Sequence, residues 1–131
     1  MTSRDRLLDR LTGLSAEQRA LLQGAPVLVH ASICLPRYGD DLEDLPSVTS
    51  GAWQPYLQPG ELPSGWDVST WFADVERLDP GSCAETAVLG VPDEPVPLAW
   101  CDVGKTFRMM HGGQRVGAGV VLAVHTAVTA V

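Results

Sequence analysis

Glycine and proline interrupt this chain so often that long, unbroken helices are excluded over most of its length. Thirteen glycines and 10 prolines fall among 131 residues, and both types punctuate regular structure and mark turns. Such spacing favours short elements joined by tight turns, which points to β structure. The length suits one domain, and 45% hydrophobic residues are enough to build a core. A formal charge of −7 would repel a phosphate backbone unless the 9 basic residues were strongly segregated, so nucleic acid is a disfavoured partner.

The first 24 residues follow a different rule. Ser3 is placed to cap a helix over roughly residues 4–11, in which Leu7, Leu8, Leu11 and then Leu14 recur at three- and four-residue spacing. Gly13 ends it. Ser15 followed by Gln18 has capping-box spacing, which predicts a second short helix through Leu21 and Leu22 that stops before Gly24 and Pro26. The chain therefore divides into a helical extension, 1–24, and a β domain, 25–131. A leucine face carrying Leu7, Leu11 and Leu14 must cover something, either its own β domain or a partner, which includes a second copy of the chain.

From Pro26 onward the period is two: Val27, Val29, Ala31 and Ile33 alternate with Leu28, His30, Ser32 and Cys34. Further strands are expected over 70–78, 85–91, 96–100, 106–110 and 116–125, about six in all. The acidic run Asp40 to Asp44 reads as a solvated loop. Between Gly51 and Trp71 lie three of the four tryptophans amid Pro and Gly, as in short strands with long loops and aromatic lids. The apolar run from Val116 to Val131 is too short to span a bilayer comfortably and reads as strand, so no membrane is expected as a partner.

Candidate chemistry is sparse. Cys34, Cys83 and Cys101 show no CxxC spacing, and an odd count leaves at least one thiol unpaired. With no secretory signal visible, a reducing cytoplasm fits this pattern. No cysteine or histidine pair has ligand spacing, so neither a metal nor a cofactor is expected. His125, on an apolar strand, reads as a core or rim residue. A cysteine beside His30, His111 or His125 could in principle act as a nucleophile, but no signature supports it and buried structural cysteines are far commoner. Ala99 to Thr106, "AWCDVGKT", imitates a phosphate loop without its first glycine, and a strand rather than a helix is expected to follow. Trp53, Trp66, Trp71 and Trp100 read as core or lid residues, with a ligand pocket among the loops as the alternative.

The segment "FRMMHGGQRVGAGVV", Phe107 to Val121, resembles the last hairpin of elongation factor Tu, whose family pattern there is close to FAIREGGRTVGAGVV. "PLAW" at Pro97 to Trp100, with Gly104 and Phe107 after it, resembles the family's PIAM segment and the GLRF that follows. Pro80 and Gly81 resemble the turn ahead of its penultimate long strand. The likeness extends over roughly residues 70–125 and excludes the N-terminal helices. It implies an all-β fold, a six-stranded antiparallel barrel of the type forming the third, C-terminal domain of that factor, here without the GTPase domain. In the family this barrel docks on the GTPase domain and on the nucleotide exchange factor, and touches the T-stem of aminoacyl-tRNA. The tRNA-touching positions fall on Met110, His111 and Gly112, with Arg115 nearby. Met110 and His111 replace an arginine and a glutamate, so the charged phosphate contact is missing.

Together these readings give a non-catalytic protein-binding or scaffold module, not an enzyme, whose hairpin surface is Met110, His111, Gly112 and Arg115. The alternatives are a small-molecule-binding or catalytic barrel using the Trp-rich loops and a translation-related tRNA-binding factor.

Overall fold

A computed structural model describes residues 2–126. The first helix, α1 (Ser3–Arg10), is capped by Thr2 rather than Ser3: the Thr2 hydroxyl accepts from the Asp5 amide, and the Asp5 carboxylate accepts from the Thr2 N–H. The second, α2 (Ala16–Gly24), has the Ser15 and Gln18 capping box that their spacing predicts. Gly13, between the helices, has φ +68°.

The remaining elements are mostly strands. They are β1 (Val27–Cys34), β2 (Val48–Thr49), β3 (Tyr56–Pro59), β4 (Trp66–Asp67), β5 (Ser69–Phe72), β6 (Arg77–Leu78), β7 (Cys83–Gly90), a short helix α3 (Pro95–Trp100), β8 (Thr106–His111) and β9 (Gln114–Thr126). Seven strands form one sheet in the order β4-β3-β8-β9-β1-β7-β5, with every neighbouring pair antiparallel. β2 and β6 pair separately.

This sheet is strongly curled. Its two edge strands, β4 and β5, are separated in sequence by Val68 alone. A flat seven-stranded sheet would hold its edges roughly 29 Å apart, whereas two residues of chain span at most about 7 Å. The segment 66–72 also bridges the gap through its backbone, Val68 N–H donating to the Pro55 carbonyl and Thr70 N–H to that of Trp53, at 3.0 and 3.1 Å.

Curling places one core inside the sheet and a second outside it. Val29, Ala31, Ile33, Leu57, Phe72, Leu89, Phe107 and Met109 fill the interior. Trp66 packs edge-on against Trp100, and Trp100 against Phe107, at centroid distances of 5.5 and 6.0 Å. On the outer face, Leu28, Trp71, Ala73 and Val88 are covered by Leu7, Leu8, Leu11 and Leu22 of the helical segment. β1 therefore feeds both cores at its start, with Leu28 outward and Val29 inward.

Three expectations are corrected. Residues 96–100 belong to helix α3, not to a strand, because Pro95 and Pro97 have no N–H for a ladder while proline suits a first helical turn. The run 70–78 is broken at Asp74, whose φ is +65°, so the chain leaves β5 and turns to pair β6 with β2. Cys34 and Cys83, register partners on β1 and β7, are joined in a disulfide and are exposed rather than buried. The bridge removes the support that cysteine spacing gave to a reducing compartment.

Candidate binding surface

The β8–β9 hairpin turns on Gly112 and Gly113, whose φ values of +57° and +82° suit a two-residue hairpin loop. Below the turn, Met109 pairs with Gly117 but Met110 pairs with Arg115, leaving Val116 as an extra residue in β9. Such a bulge re-aims a side chain and bends the strand. Val116, half-buried, packs on the interior core and also lines a groove of about 490 Å³ beside the hairpin.

One wall of this groove is the hairpin, through His111, Gln114 and Val116. The other is the segment between β1 and β3, which contributes Leu45, Pro46, Val48, Ala52 and Trp53, with Leu35 beside them and Glu43 and Asp44 at the acidic end. The wall is tied down at several points. Asp40 accepts a hydrogen bond from the Arg115 N–H at 3.3 Å, Gly39 donates to the Glu43 carbonyl at 2.9 Å, and the β2–β6 pair anchors Val48 and Thr49. At its far end the buried Ser50 hydroxyl accepts from Phe72 N–H and donates to the Thr12 carbonyl, both at 2.7 Å.

The residues expected to form a hairpin surface do not act as one patch. His111 lies in the groove, whereas Met110 and Gly112 line a shallow recess with Tyr56, Gln58 and Arg108. Adjacent residues on a strand face opposite ways, which explains the split. Arg115 is exposed and meets the acidic segment through its backbone. On the helices, Leu7 and Leu11 are buried and Leu14 packs on the same outer cluster, so this face covers the protein's own sheet instead of standing open to a partner. Of the tryptophans, Trp66, Trp71 and Trp100 are buried and only Trp53 reaches the groove.

Sequence reasoning missed the contribution of Glu43 and Asp44. The acidic run is largely exposed, as a solvated loop would be, yet Asp40 accepts from the hairpin at Arg115, and Glu43 and Asp44 line the groove. Nothing in a local pattern encodes that contact across 75 residues.

The other constellations are accounted for by their surroundings. The Cys101 thiol points to the Pro97 carbonyl at 3.2 Å, and burial pushes its pKa up to about 11, so it is protonated at neutral pH. Lys105 pairs with Glu61 at 3.0 Å, and this hydrogen bond holds the Glu61 carboxyl below its usual range. The "AWCDVGKT" segment begins in the last residues of α3 and runs into β8, the reverse of the strand-then-helix order a phosphate loop requires. Among the described residues no cluster of three or more His, Cys, Asp or Glu side chains could hold a metal ion. No helix among them is long and apolar enough to cross a membrane. No protein-family model matches this chain, and no curated protein matches it.

Proposed function

We propose that this chain is a non-catalytic protein-docking module built on a six-stranded antiparallel barrel of the kind that forms the third domain of elongation factor Tu. Reading β4, Val68 and β5 as one bent strand gives six strands that meet edge to edge, which supports the closed form. The glycine-turned hairpin Phe107 to Val121 supports the family likeness.

The observation that carries the docking role is the groove. An apolar floor of Leu35, Val48, Trp53 and Val116 lies beside a hairpin, with Glu43 and Asp44 at the rim. An aromatic anchor in an apolar recess with a polar edge is how protein interfaces are commonly built. The occupant is a segment of another protein carrying apolar side chains flanked by lysine or arginine, because the rim is acidic and the chain carries −7 overall. Replacement of the family's charged pair by Met110 and His111 favours a protein over tRNA.

A photo-crosslinking residue placed at Gln114 in the groove, compared with one at exposed Ser64, tests this reading in the native cell. The groove position is expected to trap one discrete protein that Ser64 does not. Ala52→Arg, which fills the groove with like charge to the partner, is expected to abolish the adduct. Equal adducts from both positions, or an adduct unaffected by Ala52→Arg, would overturn the assignment.

A further inference from the structure

Away from the groove, α1 packs on the outer face of the sheet, and two half-buried histidines lie beside it. His125 is the register partner of Leu28 and His30 is that of Ala123, so both imidazoles share the sheet face that α1 covers. The Nε2 atoms of His30 and His125 are both buried and have no hydrogen-bond partner. Buried polar nitrogens are rarely left so, and each one costs about 1–3 kcal/mol. Both histidines line an open cavity of about 200 Å³ together with Ser3, Arg6, Leu7 and Arg10 of α1. At about 30 Å³ per water molecule, this is room for several waters or one tetrahedral oxyanion.

The electrostatics of this cavity are opposite to those of the molecule as a whole. α1 contributes Arg4, Asp5, Arg6, Asp9 and Arg10, β1 contributes His30, and β9 contributes His125. The nearby carboxylates are committed elsewhere. Asp5 caps α1 and accepts from Gln23, Asp9 pairs with Arg19, and Asp74 pairs with Arg10. Arg4 is committed as well, its guanidinium donating to the carbonyls of Leu22, Gln23, Ala25 and His125. Arg6 has no ion-pair partner among the described residues. A chain of net charge −7 thus gathers one free guanidinium, two unpartnered imidazoles and the Ser3 hydroxyl around a small cavity.

We propose that this cavity binds a phosphate group, free or as a monoester, with Arg6 as the charge anchor, Ser3 beside it, and His30 and His125 as donors through Nε2 once each ring rotates to bring that nitrogen to the cavity. Burial is the main reason that both histidines sit below their ordinary pKa, and their cationic neighbours lower them further: His125 and Arg10 act on His30, and Arg4 acts on His125. A dianion reverses both effects. Binding and protonation are therefore linked, and affinity rises as pH falls through the histidine range.

Proton NMR of the imidazoles in the intact chain tests the site, and the exposed His111 is an internal reference. Sulfate is the first probe because its charge does not titrate near neutrality. Compared with sodium chloride at equal ionic strength, sulfate is expected to raise the pKa of His30 and His125 by about one unit, equivalent to tenfold tighter binding of the protonated form, and to leave His111 in place. Arg6→Gln, at an exposed position that leaves the helix cap intact, is expected to remove most of that shift. Inorganic phosphate and glycerol phosphate then separate the sources: a response to phosphate alone marks a site for the free anion, and a response to both marks one for phosphorylated molecules. Equal shifts at all three histidines, a response to chloride of the same size, or no shift at tens of millimolar anion would overturn the proposal.

Discussion

At Gly119 the backbone is ordinary strand, yet the position has no room for a side chain. A Cβ there would meet the Ser32 carbonyl on β1 and the ring of buried Phe107 on β8. Gly119→Ala should therefore destabilise by overpacking, by about 1–3 kcal/mol, whereas Gly24→Ala at the end of α2, where a Cβ meets nothing within 4 Å, should be neutral or stabilise by up to about 1 kcal/mol. Urea denaturation of the two variants checks the contrast, and equal effects would refute the packing argument. Arg4 is a second such position. It is only 8% exposed, and its guanidinium satisfies carbonyls at the end of α2 and on β9. Arg4→Met keeps the bulk of the stem but leaves those acceptors unpaired, so a loss of about 2 kcal/mol or more is expected in the same measurement. A close approach of this kind has a sequence sign, since Gly117 and Gly119 recur at strand spacing just after the hairpin turn, where a missing side chain lets a neighbouring backbone come near. The role of Arg4 has none, since one arginine in an arginine-rich helix carries no local mark of which carbonyls it will reach.

The elements show why some of the pattern could be read and some could not. The β8–β9 hairpin and the two capped helices depend on interactions within a few residues, and their turn glycines and capping boxes spell them out. By contrast α3 is hidden by an apolar composition that suits strand and helix equally, with only Pro95 and Pro97 to tell the two apart. The groove is hidden because its second wall is the docked segment 38–53, which is held by partners distant in sequence. Cys34 and Cys83 close a loop with a sequence separation of 49, for which chain-entropy arithmetic gives about 4 kcal/mol. Because β1 is also laddered to β9 along its whole length, reduction should lower the urea midpoint by an amount worth about 2–4 kcal/mol and leave the circular dichroism spectrum in water unchanged. Stability also depends on pH. Unfolded histidines titrate near pH 6.5, and burial holds His30 and His125 below that value in the folded protein. Between those values the unfolded chain binds more protons, so stability falls as pH drops through about 6.5 and levels off below the folded values, with nothing lost above. In buffer free of sulfate and phosphate, the urea midpoint should be lower near pH 5.5 than near pH 7.5. His30→Gln combined with His125→Gln should flatten that part of the curve, and an unchanged slope would assign it to other groups.

For the whole molecule, the question is whether the helices are an appendage or part of the folded unit. The curled sheet buries its own interior, but its outer face carries Leu28, Trp71, Ala73 and Val88, which only the helical segment covers. Leu7, Leu8, Leu11 and Leu22 each remove a large side chain from water there, at about 2 kcal/mol apiece, a sum comparable with the entire net stability of a typical domain, about 5–15 kcal/mol. A chain beginning at Ala25 should therefore expose an apolar patch of four or more side chains, bind a hydrophobic dye, and either aggregate or melt far below the full-length protein. Size-exclusion chromatography and thermal denaturation of that truncation decide the matter. A monomer of unchanged melting temperature would mean that the helices are a detachable arm, and the leucine face would again be open to a partner. If the truncation fails as expected, the β1–β7–β5 face is closed by the chain itself. The groove framed by the β8–β9 hairpin and the acidic segment lies apart from that face and stays open to solvent.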